Sequence, residues 1–169
     1  MKTLKNYDEA LLKFYKKQQL NCLPLISWEF YCAKFYNENK LNKEVTLLNS
    51  LAVVWKNKWN FKNHLKQNTT IIVTDTLVKI VYASSNIEEM TGYKPHELLG
   101  KSPKIFQGEK TNSDILKSFK IAIKNKKPFH STLVNYKKDG SEYNCEIKAY
   151  PVFNSKNKLV NFIAFEKAV

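Results

Sequence analysis

Near Gln67–Asn68 the chain changes texture, and this change constrains its fold more than any other feature. Before it, apolar residues recur at helical spacing; after it, β-branched runs are divided by turn residues. Thr70–Thr74 and Lys79–Ala83 read as two strands joined at Asp75–Val78. Asn86–Thr91 and Pro95–Leu99 read as single helical turns, closed by Gly92 and Gly100 at the position after a helix end where glycine is cheapest. Ser113–Lys126 has the pattern of an amphipathic helix. After Pro128, three more strands are expected at Phe129–Lys137, Ser141–Phe153 and Lys158–Glu166, with turns at Lys138–Gly140 and Asn154–Asn157. Two strands, short helices, one longer helix and three strands make an α+β order.

The first 67 residues predict helices only. One covers Asp8–Leu20, and a second follows Pro24 with Ser27 as N-cap and Trp28, Tyr31, Cys32 and Phe35 on one face. A third is expected over Lys43–Lys66 with Asn42 as cap. Its stripe of Leu48, Leu51, Ala52, Trp55 and Trp59 would pack on the neighbouring domain or on a second copy. The expected organisation is therefore a helical segment at 1–67 and a domain at 68–169.

Composition narrows the function. The net charge of +13 suggests nucleic acid, but twelve Lys against five acids in 1–67 and sixteen against ten in 68–169 spread the excess over both parts. There is no Arg, the residue whose planar fork reads guanine and phosphate, so nucleic-acid binding is not expected. No apolar run is long enough to span a bilayer and no secretory signal pattern opens the chain, so a cytoplasmic protein is expected. Cys22, Cys32 and Cys145 lack CxxC spacing, which predicts reduced thiols and no structural metal site. Nucleophile-elbow, P-loop and zinc-protease motifs are absent, and no enzyme is expected.

Three strings give the domain a resemblance. Thr91-Gly92-Tyr93, the loop Gly100-Lys101-Ser102-Pro103-Lys104-Ile105-Phe106-Gln107-Gly108, and Asn135-Tyr136-Lys137-Lys138-Asp139-Gly140 resemble a PAS domain, and within it the flavin-binding light-oxygen-voltage (LOV) subclass. The resemblance covers about Asn68–Val169 and implies the PAS fold, a five-stranded antiparallel sheet with helices on one face. It further implies a flavin-shaped pocket, with FMN or FAD as the candidate cofactor. Gln107 stands at the glutamine near the ribityl chain, Lys104 and Lys120 at two phosphate-binding arginines, and Asn135 at the asparagine that pairs with the pyrimidine edge. Cys145 stands in place of a second flavin-facing asparagine, and Glu166 in place of the glutamine near N5. Pro103 occupies the position of the photoactive cysteine, so the LOV photocycle is excluded as that family performs it. Haem is disfavoured because His64, His96 and His130 are isolated in the sequence.

The sequence supports a sensory module that binds a small ligand at Lys104, Gln107, Lys120, Asn135, Cys145 and Glu166 and signals through non-covalent contacts. The N-terminal helices would carry the signal to a homodimer or a signalling partner. The alternative is a cofactor-free PAS scaffold for dimerisation or docking.

Overall fold

The computed structural model describes residues 24–169, with side-chain burial from Cys32 on. The expected Asp8–Leu20 helix and Cys22 lie outside these residues. Contacts divide the chain into Met1–Lys40 and Leu41–Val169, and the second unit holds the sheet.

Helix α1 runs unbroken over Pro24–Leu51, so Ser27 and Asn42 fall inside a helix and not at the start of one. The helix expected over Lys43–Lys66 is corrected too. It ends at Leu51, passes through a 3-10 turn at Ala52–Val54, and resumes only as α2, Phe61–Lys66. Trp55 explains the break. Its backbone is extended and bridges to Asn154, Lys56 N–H donates to Phe153 O at 2.8 Å, and the indole N–H donates to Asn161 Oδ1 at 3.0 Å. These long-range bonds, next to the stiff β-branched pair Val53-Val54, outweigh helix propensity. Asn60 then caps α2, its side chain accepting from Asn63 N–H.

The remaining elements are β1 (Thr70–Thr74), β2 (Ile80–Ala83), α3 (Ile87–Thr91), α4 (Pro95–Leu98), a 3-10 turn at Pro103–Phe106, α5 (Ser113–Lys124), β3 (Phe129–Tyr136), β4 (Glu142–Phe153) and β5 (Leu159–Ala168). The strands form one antiparallel sheet in the order β2-β1-β5-β4-β3. Gly92 and Gly100 have φ of +74° and +75°, the left-handed values expected of helix-closing glycines.

Both faces of the sheet are covered, which is why every residue of β1 is buried. On the outer face Ile71, Val73, Val152, Ile163 and Phe165 pack with Leu48, Ala52, Trp55 and Phe61. Trp55 meets Trp59 edge-on at 5.7 Å and Phe61 at 6.2 Å. Leu51, counted with this stripe in the sequence, is 38% exposed, because the helix stops there and the chain turns onto the sheet. On the inner face Ile72, Ile80, Ala83, Ile87, Leu98 and Phe106 form the second cluster.

Candidate functional site

Antiparallel pairing fixes which side chains reach the inner face. Thr70 opposes Glu166 across β1 and β5, Ile147 opposes Glu166 across β4 and β5, and Asn135 opposes Tyr143 across β3 and β4. Paired residues share a face and alternate residues return to it, so Asn135, Leu133, Cys145, Ile147, Ala149 and Glu166 all point inward. Helix α5 closes the space above them. Asn112 caps it by accepting from Asp114 and Ile115 N–H, and Phe119 packs on Phe129 with ring centroids 4.8 Å apart.

Between this face and α5 lies a cavity of about 60 Å³. Its walls are chiefly Ile72, Val78, Phe106, Leu116, Phe119, Leu133, Phe162 and Ala164, and its polar members include Thr74, Gln107, Asn135 and Glu166. Pro103 also lines it. A wider groove of about 520 Å³ adjoins it and shares Val78, Pro103, Gln107, Leu116, Phe119 and Ile123 with it. Lys79, Lys104, Lys120 and Lys124 line that groove, and none of them is in an ion pair among the described residues.

The structure therefore sorts the six residues singled out in the sequence. Gln107, Asn135 and Glu166 meet in the cavity; Lys104 and Lys120 stand together at the groove, outside it. Cys145 is fully buried on the same inner face but does not line the cavity, and its thiol donates to Glu166 Oε2 at 3.7 Å. The loop that carries Gln107 is tied to β3. Thr111 Oγ1 accepts from Gly108 N–H at 3.0 Å and donates to Val134 O at 2.7 Å, and Lys110 N–H donates to Tyr136 Oη at 2.9 Å. A Cβ at Gly108 would run into the Tyr136 ring.

Two features of the polar cluster bear on chemistry. Asn135 is 3% exposed, and its Oδ1 has no hydrogen-bond partner; Thr74 Oγ1 and Tyr143 Oη are likewise buried and unpaired. Unpaired buried polar atoms cost about 1–3 kcal/mol each and call for a partner. Glu166 is buried without a cation, and burial pushes its carboxyl from 4.5 up to about 7, against a weaker downward pull from the Cys145 hydrogen bond. The Cys145 thiol is raised far above its ordinary range by burial and then by Glu166, which leaves it a neutral hydrogen-bond donor and a poor nucleophile. Thr74 and Tyr143 were missed in the sequence. Strand alternation marks both, since Thr74 is two residues from Ile72 and Tyr143 two from Cys145.

A flavin can be tested against this geometry. The donor set fits its pyrimidine edge, because Asn135 offers a free acceptor and a neutral Glu166 offers a donor. The enclosed space is small, about 60 Å³ where sites for such molecules start near ~300 Å³, and room on that scale is found only in the adjoining groove of about 520 Å³. Among the described residues, no group of three or more His, Cys, Asp or Glu stands where it could hold a metal ion, and no helix is long and apolar enough to cross a membrane.

Comparison with known proteins agrees with the fold. A family model described as PAS domain matches residues 68–167. The chain is 36% identical over 106 residues to Protein TWIN LOV 1 of Arabidopsis thaliana, covering 60% of this chain and 26% of that protein. It is 30% identical over 96 residues to the bacterioopsin transcriptional activator of Halobacterium salinarum, covering 57% and 14%. It thus spans about a quarter or less of either relative. Among solved structures, the light state of the blue-light photoreceptor Aureochrome1 LOV superposes with a TM-score of 0.58 at 26% identity, over 62% of this chain and 85% of that one.

Proposed function

The chain belongs to the PAS domain family, and from that premise we propose that it is a sensory module which binds a small, largely apolar ligand in the cavity beneath α5. One observation carries this reading. Asn135 presents an unpaired acceptor into a largely apolar cavity, and a ligand N–H or O–H would be the partner it lacks. FMN or FAD is the leading candidate. Asn135 and Glu166 would hold the ring edge and Gln107 the adjoining chain, with Lys104 and Lys120 balancing a phosphate at the groove. Such a cofactor would supply absorbance in the blue and redox chemistry.

Signalling would be non-covalent and work by population shift, the ligand favouring one arrangement of the sheet over another. The stretch Leu48–Phe61, packed on the outer face, is positioned to pass that change to a second copy or a signalling partner. A cytoplasmic setting suits this role.

A second reading, a cofactor-free docking scaffold, draws support from the small volume of the enclosed cavity. The variant Asn135→Leu separates the two. For a ligand-binding module, native mass spectrometry of protein purified from cells finds a small molecule on the wild type that the variant lacks. For a scaffold, no molecule is found, and removing the orphaned amide stabilises the fold by about 1–3 kcal/mol.

A further inference from the structure

Glu166 sits where the sheet is deepest. Its strand is flanked on both sides, with Thr70 of β1 and Ile147 of β4 in register beside it. The groups that face it are Cys145 and Tyr143 from β4, Asn135 from β3, Thr70 from β1 and Gln107 from the turn preceding α5. None is a cation. Lys167 is next in the chain, and strand alternation sends its side chain to the opposite face. The thiol of Cys145 occupies Oε2, and Glu166 has no other side-chain hydrogen bond among the described residues. Its second oxygen is left to the cavity, on the inner face that also carries the unpaired Oδ1 of Asn135.

We infer that Glu166 meets the ligand as a neutral carboxylic acid and sets specificity, selecting a ligand edge that pairs an acceptor with a donor, as in a cyclic amide or imide. The acid O–H serves the ligand's acceptor while Asn135 Oδ1 takes its donor. An amide at this position would donate at any pH; the acid donates only while it keeps its proton. Ligand uptake is therefore coupled to proton retention, and affinity falls as pH rises through the neutral range. Burial favours this protonation state, because the groups facing a charged carboxylate here are all neutral and only the Cys145 thiol is hydrogen-bonded to it. This inference rests on the reading that the cavity holds a ligand.

Riboflavin is a suitable probe, because its ring edge carries an N–H beside carbonyl groups and it has no phosphate to engage the lysines. Its binding to the full chain, followed by fluorescence quenching between about pH 5.5 and about pH 8.5, should weaken about tenfold or more across that range. The variant Glu166→Gln should bind it with little pH dependence. Infrared difference spectra of wild type against the variant, near pH 6, should show the C=O stretch of one neutral carboxyl. Binding that is flat with pH, or tightens toward high pH, overturns the inference while the ligand reading stands. A slope shared by Glu166→Gln, or a missing carboxyl band, does the same. Failure of riboflavin to bind either protein at any pH, with no small molecule on the purified wild type, overturns the ligand reading and this inference with it.

Discussion

The Cys145 thiol lies 3.7 Å from Glu166 Oε2, joining two residues 21 positions apart and on adjacent strands. Both stand where the LOV resemblance implies amides. The thiol is the carboxyl's sole hydrogen-bond partner among the described side chains, and this one weak donor offsets little of what burial costs an ionised carboxylate.

That has a direct consequence for stability. The Glu166 carboxyl titrates near 4.5 when unfolded and near 7 when folded. Below the lower value both states are protonated and nothing is lost. As pH rises the unfolded chain releases the proton first, so folding stability declines, and the decline is complete only above the folded value. At about 1.4 kcal/mol per unit the loss is on the order of 3 kcal/mol. Urea denaturation at about pH 5 and about pH 8.5 should therefore show the wild type losing stability relative to Glu166→Gln. Parallel pH profiles for the two proteins would contradict it.

Trp55 should matter more than its place in a connecting segment suggests. It is 3% exposed, meets Trp59 and Phe61 edge-on, and donates to Asn161. Trp55→Ala should cost about 3–5 kcal/mol. The double variant with Trp59→Ala should lower the melting temperature further. A double variant that melts like the parent would show that the segment before β1 is not part of the folded unit.

The Gly108–Tyr136 contact makes a coupled pair. Gly108→Ala should destabilise by about 1–3 kcal/mol, because its new methyl meets the Tyr136 ring. In a Tyr136→Ala background the same change should cost much less. A double-mutant cycle measures the difference, and additive costs would rule out the steric account.

Blue light should form no reversible cysteinyl adduct, even with flavin loaded. Pro103 lines the cavity and has no nucleophile, and Cys145 is a deeply buried, neutral thiol. Protein incubated with FMN and illuminated in the blue should show no reversible bleaching that depends on a cysteine. Reversible bleaching abolished by Cys145→Ala would assign the reactive thiol to Cys145.

Much of this was legible in the residues themselves. Strand alternation, turn residues and helix-closing glycines are local signals, and they located β1 to β5 and the short helices to within two residues. The three strings around Gly92, Gln107 and Asn135 pointed to the family, because each carries a turn whose chemistry is set by its own sequence. The end of α1 at Leu51 was not legible. Helical periodicity continues through Trp55, and only its bonds to Asn154 and Asn161, about a hundred residues away, draw it onto the sheet. The candidate site divides in the same way. Asn135 and Glu166 could be named from position, but a sequence does not give volume, and the narrow cavity is set by how Phe106, Phe119, Leu133 and Phe162 pack from four separate elements. The protonation state of Glu166 also belongs to the tertiary structure. A carboxyl keeps its proton near neutral pH when water and cations are excluded around it, and that exclusion is made by β1 and β4 on either side of β5 and by α5 over the inner face.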